Sequence, residues 1–472
     1  MTASDSGVVS TPTGTLGTDA RLSLTPVQGG TPAFDDHRPP SAEIVSDCVH
    51  CGFCLPTCPT YTLWGEEMDS PRGRIYLMNE GLQGEPMTPA MVEHFDACLG
   101  CMACVTACPS GVQYDRLIEA TRAQVERRYE RSPKDKALRA AIFALFPYPR
   151  RLRALRGPLK LHQKSRLSAL LRRTGLLDRI SPTLAAMEGL APPLGAREDV
   201  PERTPARGTR RGTVGMLLGC VQREFFPGVN AATARVLAAE GFDVIAPARQ
   251  GCCGALSIHN GREPEGQRFA RALIDTFEQE NVDYVVVNAA GCGSSMKEYA
   301  DLLADDPDYA DRARAFVGRV RDLSEILVEV GPVATRHPLP MAVAYHDACH
   351  LSHAQGIRVQ PRELLRGIPG LEVREIADSE ICCGSAGIYN IVQPEAAREL
   401  GDRKAANVLR TGAPLLVTAN PGCLMQVASS LERAGHRIAL AHIVEVLDAS
   451  IRGSAPASLG VFHPHQPAPG TD

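Results

Sequence analysis

The chain has 472 residues, of which 44% are hydrophobic and 22% charged, and its formal net charge is −4. This length allows two to four domains with buried cores, and the small net charge gives no general indication of nucleic-acid binding. No run reaches the roughly 18 apolar residues that a membrane-spanning helix needs.

Cysteine is the unusual residue, with sixteen copies. Residues 1–40 show no basic start followed by an apolar segment, so the sequence predicts no secretory signal. We therefore expect a cytoplasmic protein whose cysteines stay reduced and bind metal ions or clusters. The same residues are rich in Thr, Gly, Pro and Ser and predict a disordered tail over 1–40. A second disordered tail is predicted over 453–472.

Eight of the cysteines lie within residues 41–120 and form two motifs of spacing Cys-x2-Cys-x2-Cys-x3-Cys, each followed by proline. This spacing is typical of bacterial two-cluster ferredoxins, in which the fourth cysteine of each motif binds the other cluster. The predicted ligands of the first [4Fe–4S] cluster are Cys48, Cys51, Cys54 and Cys108. Those of the second are Cys98, Cys101, Cys104 and Cys58. Structural zinc does not explain two such motifs that both end in proline.

Basic residues dominate the segment that follows. Residues 121–180 contain 17 Lys or Arg against 4 Asp or Glu. Apolar and basic residues interleave there at helical spacing, as in 142–146 followed by Arg150, Arg151 and Arg153. Such a segment could lie on an anionic membrane surface, dock on an acidic partner subunit or form a solvated face. With the Pro- and Gly-rich linker over 181–212, it forms a predicted basic helical segment and linker over 121–212.

The other eight cysteines recur as two sets with a constant offset of about 130 residues. A constant offset predicts two copies of one structural unit, over 213–335 and 336–452. Each copy alternates apolar runs with helical patterns, which favours a parallel sheet with helices on its faces. Strands are predicted over 214–218, 244–246, 284–288, 341–345 and 415–418, and helices over 230–240 and 268–280.

The repeated cysteines follow predicted strands, where ligands bind in open α/β sheets. We therefore expect one metal or cluster site per repeat, although buried cysteines can also be simple packing residues. The predicted sites are Cys220, Cys252, Cys253 and Cys292 in the first repeat, and Cys349, Cys382, Cys383 and Cys423 in the second. His346, His350 and His353 surround Cys349, but no histidine flanks Cys220. We therefore do not expect the histidines to belong to the shared site.

The chain resembles the iron–sulfur subunit of bacterial glycolate oxidase over nearly everything after the first tail. The residues that carry the resemblance are Val49-His50-Cys51-Gly52-Phe53-Cys54, Cys58-Pro59-Thr60-Tyr61, Ser70-Pro71-Arg72-Gly73-Arg74-Ile75-Tyr76, Asn230-Ala231-Ala232-Thr233-Ala234-Arg235-Val236-Leu237, Gly251-Cys252-Cys253-Gly254-Ala255 and Cys382-Cys383-Gly384-Ser385-Ala386-Gly387. The double Cys-Cys-Gly repeat alone is similar to subunits of heterodisulfide reductase, lactate utilisation systems and anaerobic glycerol-3-phosphate dehydrogenase.

The resemblance implies an iron–sulfur electron-transfer subunit of a glycolate dehydrogenase or oxidase. Partner flavoprotein subunits would oxidise glycolate to glyoxylate, with an acceptor other than NAD. This chain would pass the electrons through two [4Fe–4S] clusters toward quinone and the respiratory chain, with possible peripheral contact at the inner face of the cell membrane. No GxGxxG fingerprint follows a predicted strand, so we expect no flavin or NAD and no catalytic residue on this chain.

The repeats depart from their heterodisulfide reductase relatives, in which the repeat typically ends in Cys-x2-Cys. Here Ser295 and Gln426 stand where the fifth cysteines would be. A further iron–sulfur cluster, zinc or a redox-active dithiol therefore all remain open for the repeats. The alternative function is a heterodisulfide-reductase-like protein, or a lactate or glycerol-3-phosphate dehydrogenase subunit, with its own reductase site in the repeats. The predicted fold is multidomain α+β and α/β: a helical ferredoxin-like two-cluster domain followed by two repeated α/β domains with parallel sheets.

Overall fold

The computed structural model describes residues 31–165, 176–194 and 198–460. Most of the two predicted tails lies outside these residues. The first helices are Ala42–Ser46, Pro59–Trp64, Pro71–Leu82, Pro89–Ala97, Ala103–Ala107 and Tyr114–Arg128, with a 3-10 turn at Glu67–Asp69. The basic segment and linker contain Pro133–Leu145, Pro149–Lys164, Leu176–Ile180 and Pro182–Gly189.

The first repeat contains helices Val221–Phe225, Pro227–Ala239, Ala255–Ile258, Glu263–Glu278, Ala290–Lys297, Tyr299–Leu302, Ala310–Val317 and Leu323–Val330. The second contains Val359–Arg366, Tyr389–Val392, Pro394–Arg410, Pro421–Arg433 and Ile443–Arg452, with a π turn at His350–Ala354 and a 3-10 turn at Pro456–Ser458. The strands are β1 Arg203–Thr204, β2 Gly212–Met216, β3 Phe242–Ile245, β4 Tyr284–Val287, β5 Val320–Asp322, β6 Met341–His346, β7 Leu371–Glu375, β8 Leu415–Thr418 and β9 Ala439–His442.

The ferredoxin-like domain is built from short helices with well-defined starts. The Ser70 hydroxyl accepts a hydrogen bond of 3.0 Å from the Gly73 amide, and Pro71 occupies the first position of helix 71–82. Both features are typical of helix N-termini. A Cβ on Gly73 would lie 2.0 Å from the Glu67 carbonyl oxygen. Glycine is therefore required where this helix crosses the preceding turn.

The end of the predicted first tail is part of the fold. Asp35 pairs with Arg127 at 3.1 Å, and its amide donates to the Gln124 side chain at 2.9 Å. The hydrogen bond with Arg127 lowers the pKa of Asp35 to about 2. Phe34 is buried against Gly81. The prediction of a tail to residue 40 was therefore too long, because these contacts are made with residues distant in sequence.

The two repeats have the same parallel sheet. The first has the order β1-β3-β2-β4-β5, in which only β1 is antiparallel, and the second has the order β7-β6-β8-β9. In register, Val214 pairs with Val244 and Tyr284, and Val343 pairs with Val373 and Leu415. These sheets confirm the prediction of mixed helical and α/β structure with parallel sheets. The small strand β1 lies in the predicted linker.

The repeats share one apolar core. Helix 227–239 packs on helix 443–452, and buried side chains from both sheets, such as Val214 and Val343, belong to the same cluster. Arg235 adds an ion pair of 2.8 Å to Asp448. The carboxyl ends of the strands, where the repeated cysteines lie, are therefore held in a fixed relation by this core.

The basic segment covers both repeats. Ile142 and Phe143 are buried against Ile388 and Ile391, and Arg153 pairs with the buried Glu224 at 2.9 Å. Part of the apolar and part of the basic surface of this segment is thus used within the chain. Among the described residues, no helix has the length and apolarity needed to cross a membrane.

Candidate cluster and metal centres

The eight ferredoxin-type cysteines line two neighbouring cavities. The first cavity is lined by Cys48, Cys51, Cys54 and Cys108, together with Cys104. The second is lined by Cys58, Cys98, Cys101 and Cys104. We call these the first and second cluster sites. The fourth cysteine of each motif thus lies at the cavity formed by the other motif, the arrangement that two crossed four-thiolate sites require.

Both cluster loops use the left-handed backbone region at the same two places. His50 and Gly100, between the first two cysteines of each motif, have φ of 52° and 63°. Gly52 and Met102, after the second cysteine, have φ of 86° and 63°. For histidine and methionine this conformation is unfavourable, and such strain is concentrated at functional sites. The cysteine spacing accordingly forces the chain to wrap tightly around each cavity.

A buried arginine stands behind the second cluster site. Arg74 is fully buried, pairs with Asp69 at 3.2 Å and donates to Thr60 Oγ1 at 3.2 Å. Thr60 Oγ1 lies 3.3 Å from Cys58 Sγ. Burial opposes ionisation of the Cys98 thiol, but the charges of Arg74 and Arg122 outweigh it and lower the pKa of that group. The positive charge therefore favours the thiolate form that an iron–sulfur cluster needs.

The sequence did not identify Arg122 and Tyr114 as residues of this site. The Tyr114 hydroxyl donates to Cys98 Sγ at 3.6 Å, and the Arg122 guanidinium donates to the Cys98 carbonyl oxygen. Both lie on helix 114–128, outside the cysteine motifs. A motif search could not find them, because only the packing of that helix brings them to the loop.

The four cysteines of the first repeat lie together. Cys220 Sγ is 3.5 Å from Cys252 Sγ, and Cys253 lies within hydrogen-bonding reach of Cys252 and Cys292. Hydrogen bonds from those two thiols hold the pKa of Cys253 well below its usual range. Gly254 has φ of 81°, which allows the sharp turn after the cysteine pair. The geometry therefore suits one site with all four sulfurs.

The second repeat has the same arrangement with an added histidine. Cys383 lies within reach of Cys382 and Cys423, whose hydrogen bonds hold its pKa well below the usual range. Ligand atoms of His346, Cys383 and Cys423 all lie within 4.8 Å of one another. Cys349 completes the set beside Cys382. The donor set therefore fits a cluster or a metal ion held by thiolates.

His346 lies beside this site, although the sequence comparison gave the histidines no part in the site shared by both repeats. Its Nδ1 lies 3.1 Å from Thr418 Oγ1, and its buried Nε2 has no hydrogen-bond partner among the described residues. The corresponding position in the first repeat is Leu217, so the two sites differ chemically. His353 instead bonds to Thr106 at 2.8 Å, and His350 lies 3.6 Å from Cys349 Sγ.

The second cluster site and the second repeat meet in one apolar cluster. Leu99 and Cys101 from the ferredoxin-like domain are buried together with Cys382 and Tyr389 from the repeat. Burial, and then the neighbouring Cys349, raise the pKa of Cys101 well above its usual range. Helix 59–64 also packs on helix 394–410. The two cysteine sets are consequently adjacent within the fold.

Comparison with known families matches the ferredoxin-like domain, the basic segment and the cysteine-bearing part of each repeat. A model described as "4Fe-4S dicluster domain" matches residues 44–112, and one described as "Cysteine-rich domain" matches 214–297 and 343–428. A model described as "Glycolate oxidase iron-sulfur subunit, linker region" matches 134–191. The dicluster match confirms the prediction of two [4Fe–4S] clusters.

Two individual relatives are similar over most of the chain, and a third over about half of it. The chain is 39% identical to the "Probable glycolate oxidase iron-sulfur subunit" of Bacillus subtilis, over 85% of this chain and 93% of the relative. It is 37% identical to the "Glycolate oxidase iron-sulfur subunit" of Escherichia coli, over 86% and 94%. It is 32% identical to "Lactate utilization protein A" of an Exiguobacterium species, over 51% of this chain and 98% of that protein.

Proposed function

Because this chain belongs to the family of glycolate oxidase iron–sulfur subunits, we propose that it transfers electrons within a glycolate oxidase complex. A flavoprotein subunit oxidises glycolate to glyoxylate and delivers the electrons to the first cluster site. The electrons then pass to the second cluster site, to the four-cysteine site of the second repeat and finally to a quinone. The two [4Fe–4S] clusters supply the redox chemistry. The chain supplies thiolates, positive charge and apolar enclosure.

The contact between Cys101 and the second repeat is the observation that carries this route. Cys101, Cys382 and Leu99 belong to one buried cluster, and Cys349 is close enough to raise the pKa of Cys101. Such proximity between the two cysteine sets supports electron transfer from one to the other without a mobile carrier. No comparable apolar cluster among the described residues joins the ferredoxin cysteines to the cysteines of the first repeat.

The opposite end of the route lies at the surface. Cys51 of the first cluster site is exposed, and the adjacent Val49 and Phe53 are 69% and 65% exposed. Large apolar side chains at the surface are typical of protein interfaces. This surface therefore supports docking of the flavoprotein at the first cluster site, where electrons would enter.

Of the eight repeat cysteines, we assign Cys349, Cys382, Cys383 and Cys423 to an additional iron–sulfur cluster. The nearby His346 makes this site chemically distinct from the four cysteines of the first repeat, which suit a structural metal ion. Contact with an anionic membrane is assigned to helix 149–164, whose Leu155 and Leu161 are exposed beside its arginines.

The test compares Cys383→Ser with the matched variant Cys253→Ser in the complete complex, prepared anaerobically. Cys383→Ser should abolish glycolate-dependent quinone reduction, while EPR still shows both ferredoxin-type clusters reduced by glycolate. Cys253→Ser should keep most of the quinone reduction rate. If Cys383→Ser retains its full iron content and full rate, the second repeat is not on the electron route. If the isolated chain oxidises glycolate with an artificial dye, the assignment of substrate chemistry to a partner fails.

A further inference from the structure

A group of polar side chains without cysteine lies between the ferredoxin-like domain and the first repeat. Glu119 belongs to helix 114–128, His259 directly follows helix 255–258, and Glu298 directly follows helix 290–297. One ligand atom from each of the three residues lies within 4.8 Å of the others. Such spacing is compatible with three ligands around a single ion.

The histidine of this group is already oriented by its neighbours. His259 Nδ1 lies 2.9 Å from Glu119 Oε1, and His259 Nε2 lies 3.0 Å from Ser295 Oγ. A ligating histidine typically has its second ring nitrogen held in this way by a polar group. Ser295 therefore fixes the ring with its Nδ1 directed toward the two carboxylates.

Acidic side chains in and beside this group lack the hydrogen-bond partners that buried acids require. Glu298 Oε2 and Asp115 Oδ1 are both buried, and neither has a hydrogen-bond partner among the described residues. Both residues line one solvent-connected cavity together with Glu119 and Ser295. This cavity thus brings three acidic side chains and two unsatisfied carboxylate oxygens to the same place.

The neighbouring arginines are bonded to other groups. Arg38, which also lines the cavity, pairs with Glu263 at 2.8 Å and with Asp305 at 3.1 Å. Arg116 pairs with the exposed Asp301 at 3.1 Å, at the rim of the cavity. Arg122 does not line the cavity and donates instead to the carbonyl oxygens of His259 and Cys98. A cation inside the cavity would satisfy the free oxygens and balance the charge of the acids.

We propose that Glu119, His259 and Glu298 bind a divalent metal ion, with Asp115 beside it as a further oxygen donor. One imidazole nitrogen with two or three carboxylates suits Mn²⁺, Fe²⁺ or Zn²⁺ better than Ca²⁺, which prefers oxygen ligands alone. The ligands come from the ferredoxin-like domain and from the first repeat, so the bound ion connects the two. This site uses none of the cysteine ligands and is not a step of the proposed electron route.

The experiment is a Mn²⁺ titration of the anaerobically purified, cluster-containing chain, with free Mn²⁺ measured by its EPR signal. Mn²⁺ is chosen because it has little preference for thiolates. We expect one strongly bound Mn²⁺ per chain, and its loss in Glu298→Gln. Ser295→Ala, which removes only the group that orients His259, should weaken binding about 10- to 100-fold. Competition with Zn²⁺ should displace the bound Mn²⁺.

The matched control is Asp305→Asn, which removes one exposed carboxylate that does not line the cavity. Its partner Arg38, which does line the cavity, remains paired with Glu263 at 2.8 Å. The Asp305→Asn variant should bind Mn²⁺ as the unmodified chain does. The proposal is overturned if the unmodified chain binds no Mn²⁺ in excess of Glu298→Gln. It is also overturned if Asp305→Asn weakens binding as much as Glu298→Gln, since the ion would then respond only to general surface charge. If a variant fails to fold, the absence of strongly bound Mn²⁺ in the unmodified chain still overturns the proposal.

Discussion

Replacing Arg74 with methionine should lower the midpoint potential of the second cluster site by about 100 mV. Arg74 is fully buried, and hydrogen bonds from Arg74 to Thr60 and between Thr60 and Cys58 keep its charge close to the Cys58 sulfur. A positive charge near a cluster stabilises the reduced state, which carries one more negative charge. Methionine retains much of the volume of the side chain but not its charge, so the reduced cluster loses that stabilisation.

The size of the expected shift in midpoint potential follows from two hydrogen-bond distances. Two contacts in series, of 3.2 Å from Arg74 to Thr60 and 3.3 Å from Thr60 to Cys58 Sγ, place the guanidinium within about 6.5 Å of the sulfur. At an effective dielectric constant of about 20, a unit charge at that distance contributes about 2.5 kcal/mol. For a one-electron couple this free energy corresponds to about 110 mV.

The assay is an EPR-monitored redox titration of the anaerobic protein, with iron content and Tm measured in parallel. Arg74→Met leaves Asp69 buried without its ion-pair partner, and we expect about 3 to 5 kcal/mol of lost stability. Arg74→Lys keeps the charge and should stay near the original potential. The double variant Arg74→Met with Asp69→Asn removes both charges and should shift the potential less than Arg74→Met alone. An unchanged potential in an Arg74→Met protein with its full iron content would refute this reasoning.

Three other predictions concern the repeats and the basic segment. Gly384 has φ of 88°, and a Cβ there would lie 2.6 Å from the Ala397 carbonyl oxygen. Gly384→Ala should therefore lower the stability of the fold by about 1 to 3 kcal/mol and reduce the metal content. Gly251→Ala, where no atom lies within 4 Å of the added Cβ, should leave stability and metal content unchanged. Burial raises the pKa of Asp322 to about 6, so the folded state binds its proton more tightly than the unfolded state, and stability falls as pH rises from about 4 to about 6. Asp322→Asn should accordingly gain about 2 to 3 kcal/mol at pH 7, with a Tm advantage over the unmodified chain that grows between pH 5 and pH 7.5. Changing Arg150 and Arg151 to Glu should weaken binding to anionic vesicles in a sedimentation assay by about thirtyfold or more, at about 1 kcal/mol per lost basic residue. Arg153 is left unchanged because it pairs with the buried Glu224. Equal sedimentation of the variant and the unmodified chain would contradict membrane contact by this helix.

Local spacing predicted the cysteine sets and the strands that precede them. The spacing of the motif from Cys48 to Cys58 largely determines the conformation of its loop, because the short intervals between cysteines leave the backbone few ways to wrap around a cavity. The strands predicted over 341–345 and 415–418 match β6 and β8 closely. By contrast, the strand predicted over 214–218 ends at Met216, since the chain leaves the sheet before Cys220.

The features that were missed depend on packing between distant segments. Strand β7 and strand β9 were not predicted; both are short, and residues 372–375 of β7 are only partly buried or exposed. His346 reaches the second repeat's cysteines because β6 pairs in register with Thr418 of β8, a relation that the repeat comparison with Cys220 could not show. Arg74 belongs to one of the sequence stretches that carry the family resemblance, but its burial behind Cys58 follows only from the tertiary fold.

The apolar cluster that contains Cys101 and Cys382 has a consequence for damage by oxygen. These cysteines are packing residues of the interface between the ferredoxin-like domain and the second repeat as well as proposed cluster ligands. Loss of an oxidised cluster would therefore leave unfilled volume at that interface and weaken the attachment of the two domains. A molecule that can no longer conduct electrons would open at the same place and become a substrate for proteases. The loss of electron transfer and the degradation of the protein would then both begin at the interface between the ferredoxin-like domain and the second repeat.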